Sequence, residues 1–285
     1  MLQEEKKQLE IFALNVREDI VKSTTAAGSG HPGGSLAAAD YLTYLYEKEI
    51  KVDPKNPEKF DRDRFVLSKG HSAPALYSVL AREGFFPVED LITLRKKTSY
   101  LQGHPCMNST PGIDMSTGSL GQGISAACGM AKGAKVLGLD INVYALLGDG
   151  EIAEGEVWEA MLFAAHYKLN NLCIAVDVNG LQIDGKTSDV MNTEPLDKKF
   201  EAFGCKVIKI DGHNFDELEK AFNFFHENKS GTQPTVILLK TIKGKGVSFM
   251  ENVAGWHGKA AKPDECEKAL AELENARKSI LGNRE

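Results

Sequence analysis

From Asn142 onward the chain alternates short apolar runs with stretches of helical spacing, and this alternation most limits what it can fold into. VYALLGDG and NLCIAVDVNG read as buried strands ending in sharp turns, with the helix EGEVWEAMLFAAHYK between them. KVIKIDG and TVILLKTIKGKG are further strand candidates, separated by the helix DELEKAFNFFHEN. Strands that are apolar throughout are buried on both faces, and joined through helices they form a parallel sheet. The expected class is therefore α/β, a parallel β-sheet flanked by helices on both faces.

The first half fits that scheme. Leu9, Phe12, Ala13, Val16 and Ile20 are spaced for an amphipathic helix over 5–25. AAGSGHPGG breaks it, and LAAADYLTYLYEKEI is a second helix. Phe65-Val66-Leu67 reads as a strand, SKGH as the loop after it, and APALYSVLARE as a helix. PVEDLITLR starts another helix, with Pro87 suited to its first turn. Residues 99–119, rich in Gly, Pro, Ser and Thr, form a long irregular loop of the kind that carries function. Gly121 to Gly138 reads as a tightly packed buried helix, and Pro263 to Leu281 as a terminal one. With no repeat or clear linker, residues 1–285 are expected to form a single domain.

Composition excludes several classes. The net charge of -6 argues against a nucleic-acid partner, which would call for a basic face. No stretch approaches the roughly 20 apolar residues of a membrane span, and MLQEEKKQLEIF lacks the apolar core of a secretory signal. Cys106, Cys128, Cys173, Cys205 and Cys266 contain no CxxC pair, which suggests reduced thiols in a cytoplasmic protein.

The strongest chemical signal is GDG at Gly148 to Gly150, with Asn179 at the end of the next apolar strand. Ligands of open α/β sheets bind outside the carboxyl ends of the strands. The helix after GDG would aim its N-terminal N–H groups there, a suitable place for an anion. Asp149 and Asn179 offer hard oxygens, which suit magnesium or calcium bridging to a phosphate. GDG alone also fits a plain hairpin turn; paired with DVNG, the simplest ligand is a metal-bound diphosphate.

The segment from GDG to DVNGLQIDG resembles the thiamine-diphosphate motif. SGHPGGSL, LSKGHSAPALY, QGHP with STGSLGQGISAACGMA, and GWHGK resemble transketolase in particular, in order along nearly the whole chain. The resemblance implies thiamine diphosphate and a divalent cation, Mg2+ or Ca2+, as cofactors. It assigns Asp149, Asn179 and the Leu181 carbonyl to the metal. Gly148, Gly150, His71, Gly118, Leu120, Glu154 and His257 fall to the cofactor's surroundings. His31, His104 and His257 become the histidines that handle the substrate. Glu154 and Glu159 match glutamates near a subunit interface, with acidic residues offsetting a helix dipole as the alternative reading.

Four of the seven histidines lie in Gly- or Pro-flanked loops; His166, His213 and His226 carry no such signal. TIKGKG looks like a phosphate loop without Walker spacing and reads as a turn near the site. The resemblance stops before the pyrimidine-binding half, whose glutamate contacts the aminopyrimidine ring, and before the arginines that bind a sugar phosphate. It therefore implies the N-terminal subunit of a split transketolase, which moves a two-carbon ketol unit from a ketose phosphate to an aldose phosphate. The expected partners are sugar-phosphate substrates, the C-terminal transketolase subunit and, in a heterotetramer, a second copy of this chain. Another ketose donor, a deoxyxylulose-phosphate synthase and a non-catalytic cofactor-binding subunit stay open as alternatives.

Overall fold

The computed structural model describes residues 1–282; the last three residues of the expected 1–285 unit lie outside the described residues. Nine helices are described: α1 (Gln3–Ala27), α2 (Pro32–Tyr44), α3 (Ala73–Arg82), α4 (Gln122–Leu137), α5 (Gly155–His166), α6 (Thr187–Val190), α7 (Leu196–Ala202), α8 (Phe215–Asn228) and α9 (Pro263–Leu281). The strands are β1 (Arg64–Leu67), β2 (Val143–Gly148), β3 (Leu172–Val178), β4 (Leu181–Gln182), β5 (Gly185–Lys186), β6 (Lys206–Asp211) and β7 (Thr235–Lys240). Five of them make one sheet in the order β1-β2-β3-β7-β6, all pairs parallel. β4 and β5 form a small antiparallel ribbon just after β3.

Alternate residues of each central strand enter opposite cores, as the period of two demands. Tyr144, Leu146, Cys173, Ala175, Ile237 and Leu239 face α1, α2, α3 and α8. Ala145, Leu147, Ile174, Val176, Val236 and Leu238 face α4, α5 and α7. Helices cover both faces, as the unbroken apolar runs implied. Phe222 of α8 lies against Tyr41, Tyr44 and Tyr144, with ring centroids 6.0, 5.3 and 6.1 Å apart.

Several local expectations change. The second helix starts earlier, at Pro32, and ends in a π turn over Leu45–Glu49. The segment after Pro87 is a 3-10 helix, Val88–Thr93. Helix α4 buries one face only: Ile124, Ala127, Cys128 and Ala131 are covered, while Val136 and Leu137 are exposed. The helix after GDG is delayed, because a 3-10 turn over Glu151–Ala153 precedes α5. Helices α6 and α7 and the β4–β5 ribbon lacked any periodic signal, being too short to carry one. All five cysteines are free thiols. Among the described residues, no helix is long and apolar enough to cross a membrane.

Candidate active site

Strands β2 and β3 run side by side with Gly148 opposite Asp177, so the GDG and DVNG turns leave the sheet together. The Asp149 N–H donates to the Asp177 carbonyl at 3.1 Å. The Asp149 carboxylate in turn accepts the N–H groups of Gly150 and Gly180, at 2.8 and 2.6 Å. It is thus fixed against the residue that follows Asn179. The Asn179 amide donates to Asp177 at 3.1 Å, and its oxygen accepts the Leu181 N–H at 3.1 Å. Asp149, Asn179 and Leu181 are therefore gathered at one strand end. A β-carbon on Gly150 would come within 2.9 Å of Gln182 Oε1 and 3.1 Å of its Cβ, so the Gln182 side chain packs directly over this turn.

Two buried carboxylates tie this turn to its surroundings. Asp177 accepts the Lys69 ammonium and the Thr241 hydroxyl. Burial would raise its pKa, but the Lys69 charge and these hydrogen bonds hold it below the usual carboxylate range. Glu151 accepts the Ser68 hydroxyl and the N–H groups of Gly121 and Gly148, which joins the ends of β1 and β2 to the start of α4. Burial pushes the Glu151 carboxyl up.

The electrostatics of the turn invite two opposite charges. Burial, and then the neighbouring Asp177 charge, push Asp149 up to about 6. A cation against this carboxylate would offset both effects. Lys243 is buried, and burial together with the Lys69 charge lowers its ammonium to about 8. Its hydrogen-bond partners are the Leu181 carbonyl at 3.4 Å and His257 Nδ1 at 3.0 Å; among the described residues no carboxylate bonds it. A buried ammonium without an anionic partner is costly, and an anion placed here would relieve that cost. The residues present thus fit a divalent cation with a diphosphate. Among the described residues no three His, Cys, Asp or Glu side chains form a metal cage. The oxygen set would be one carboxylate, one amide and one backbone carbonyl.

Four histidines reach one place from four separate loops. His31 precedes α2, His71 lies in the turn after β1, His104 in the irregular loop, and His257 after the 3-10 turn Ala254–Trp256. The His31 ring lies 5.4 Å from His71, 5.4 Å from His257 and 6.1 Å from His104, and His71 lies 5.0 Å from His257. The Tyr77 hydroxyl on α3 anchors the His104 loop through the carbonyls of Gln102 and His104. Burial and the Arg95 charge bring His31 down to about 4, and burial and the Lys243 charge do the same to His257. Burial also lowers His71 and His104. In all four the shift favours the uncharged ring. An ammonium can only donate, so His257 Nδ1 accepts from Lys243 and its proton resides on Nε2, available as a donor.

Gly118 packs on the His104 ring with a φ of +137°, and a β-carbon there would lie 2.9 Å from that ring. Leu120 is half-buried just before α4. Glu154 sits apart from the histidines in its bonding: it is exposed at the start of α5 against Gly121 and, among the described residues, makes no side-chain hydrogen bond or ion pair. Glu159 lines a groove between α4 and α5 with Ser125, Gly129 and Phe163. The sequence reading missed Lys69, Asp177, Glu151, Arg95 and Lys243. For Lys69 and Lys243 the signal was a lysine next to glycine, in SKGH and TIKGKG.

The thiamine diphosphate binding domain of transketolase matches residues 10–278. The chain belongs to the transketolase family. The 6-deoxy-6-sulfo-D-fructose transketolase subunit SqwG of Clostridium sp. (strain MSTE9) is 44% identical over 273 residues, 96% of this chain and 98% of that protein. An apulose-4-phosphate transketolase subunit from Actinobacillus succinogenes is 41% identical, over 91% of this chain and 93% of its own length. Transketolase of Rattus norvegicus is 42% identical over 95% of this chain, which spans 43% of that protein. The crystal structure of transketolase from Campylobacter jejuni superposes with a TM-score of 0.86 at 35% identity, covering 93% of this chain and 42% of that one. The sheet and its flanking helices are thus a transketolase-type thiamine-diphosphate-binding fold.

Proposed function

We propose that this chain is the cofactor-binding half of a two-chain transketolase that moves a two-carbon ketol unit from a ketose phosphate to an aldose phosphate. The observation that carries it is the shared strand end. Asp149 is bonded to the residue after Asn179, the buried Lys243 ammonium lies against the Leu181 carbonyl, and four histidines cluster with their rings in contact.

In this reading Asp149, Asn179 and the Leu181 carbonyl hold magnesium or calcium, the ions that suit hard oxygens. Lys243, Lys69 and the Gly150 backbone face the diphosphate, with His71 beside it. Gly118, Leu120 and Gly148 border the cofactor, and Glu154 belongs to the subunit contact. When bound, thiamine diphosphate would supply a nucleophilic carbon to attack the ketose carbonyl and a cationic ring as the electron sink when the carbon–carbon bond breaks. In this reading His257 Nε2–H would donate to a developing oxyanion, and His31 and His104 would bind ketose hydroxyls. Neutral imidazoles can also take up a substrate proton.

A C-terminal subunit carrying the pyrimidine-binding half would complete the site in a cytoplasmic heterotetramer that includes a second copy of this chain. Exposed apolar side chains on α4 and α5, among them Val136, Leu137, Leu162 and Phe163, support such contacts. The pentose phosphates are the sugars expected of the family resemblance. A second reading keeps the chemistry and changes the sugar. It is favoured by the two subunit-length relatives, named for 6-deoxy-6-sulfo-D-fructose and apulose-4-phosphate.

Ketol transfer should be assayed with this chain alone, and again together with its pyrimidine-binding partner, over a panel of ketose phosphate donors. Turnover only in the reconstituted pair is expected, and the preferred donor decides between the two sugar readings. Full turnover by this chain alone would overturn the proposal.

A further inference from the structure

The loop after β7, Thr241 to Gly246, presents Lys243 to the strand end, and its outer side is held by a triad from elsewhere in the chain, with Arg17 and Asp40 buried and His213 partly so. Arg17 on α1 makes a two-point pair with Asp40 on α2, at 3.0 and 2.6 Å. Burial would raise Asp40, but the Arg17 guanidinium and His213 hold it at about 2. His213, in the turn between β6 and α8, places Nδ1 2.7 Å from the same carboxylate. Its other nitrogen, Nε2, lies 2.9 Å from the Ile242 N–H. Arg17 also reaches the loop, donating from Nε to the Lys245 carbonyl at 3.1 Å.

A backbone N–H can only donate, so His213 Nε2 is an acceptor and the ring proton sits on Nδ1, facing Asp40. One ionised carboxylate thus orients two side chains, and these grip the loop one residue before Lys243 and two residues after it. Elsewhere the loop is held by the Thr241 hydroxyl on Asp177, the Thr241 N–H on the Val178 carbonyl at 3.1 Å, the Gly244 N–H on the Gly33 carbonyl at 2.9 Å, the Asn252 N–H on the Lys243 carbonyl at 2.9 Å and the Gly246 N–H on Glu251 at 3.0 Å, so the grip on Ile242 is the one that bears on the residue next to Lys243. Lys243 is a buried cation whose burial and Lys69 neighbour outweigh the attraction of Asp177 and Asp149, so a loosened loop would let its ammonium move out to water.

We propose that His213 is a positioning residue: with Arg17 and Asp40 it clamps the Thr241–Gly246 loop so that the Lys243 ammonium stays at the anion-binding strand end. The consequence for ligand affinity rests on the reading that Lys243 faces a diphosphate; the clamp itself does not.

Two side-chain amides separate the clamp from general packing. His213→Gln keeps an acceptor near the Nε2 position, whereas His213→Asn can still donate to Asp40 but leaves Ile242 without a partner. Hydrogen exchange of the full chain is the first readout. Exchange across 241–246 is expected to speed up about tenfold or more in His213→Asn and to recover largely in His213→Gln. Titration with inorganic pyrophosphate and magnesium is the second, with affinity falling in the same order. Unchanged exchange in a folded His213→Asn protein would overturn the clamp. If His213→Asn fails to fold, imidazole nitrogen NMR of the unaltered protein decides, since a proton on Nε2 rather than Nδ1 also overturns it. Loosened exchange with unaltered pyrophosphate affinity in both His213→Asn and Lys243→Met would keep the clamp and sink the diphosphate reading.

Discussion

The ammonium of Lys243 lies 3.0 Å from Nδ1 of His257, so this buried lysine sets the tautomer of that histidine. In the proposed function this contact would couple diphosphate binding to the chemistry. Lys243→Met should weaken magnesium pyrophosphate binding by roughly 10- to 100-fold, the worth of a charge-assisted contact. In the reconstituted enzyme it should also lower kcat, because His257 is no longer held with its proton on Nε2. Isothermal titration reads the first effect and steady-state kinetics the second. Affinity within twofold or so of the parent protein would remove Lys243 from the anion site.

Asp149→Ala should abolish metal-dependent cofactor binding while the sheet stays folded. The carboxylate leaves, and with it the acceptor for the Gly150 and Gly180 N–H groups. Both turns lie at the end of the sheet, so the far-ultraviolet dichroism should match that of the parent protein. Retained magnesium-dependent binding would place the cation elsewhere.

Glu83 predicts a pH dependence of stability. Burial, and then the neighbouring Glu47 charge, push its carboxyl up to about 8. The folded state therefore keeps a proton that the unfolded chain releases near its ordinary value. This contribution is complete below the unfolded pKa and is lost as pH rises through the folded one. Glu83→Gln should match the parent melting temperature near about pH 5 and exceed it near about pH 9. Equal melting temperatures at both ends would show that Glu83 ionises freely.

Phe222→Ala should cost about 3–5 kcal/mol, the range for emptying a buried aromatic site. Tyr41, Tyr44 and Tyr144 all pack against this ring, and they are too rigid to fill the space it leaves. Denaturant unfolding measures the cost. A loss under about 1 kcal/mol would mean that the α2–α8 layer repacks readily.

The sequence by itself determined the layered fold, because short apolar runs such as LCIAV and TVILL, bounded by turns and alternating with helices, read as strands covered on both sides. It also marked the residues of the strand end, since GDG, DVNG and four loop histidines carry local chemical signals. Tertiary structure alone decided what surrounds them. Asp177 and Val178 share one apolar run, yet only the sheet register brings Lys69, more than 100 residues away, onto that carboxylate. Arg17, Asp40, His213 and Ile242 belong to four distant segments, and no local pattern announces their meeting. Short elements such as α7 span too few residues to repeat a period, so contacts with β6 and the buried Phe200 fix them instead. Local spacing encodes which face of an element is apolar; which charges end up paired depends on how the loops close over the sheet.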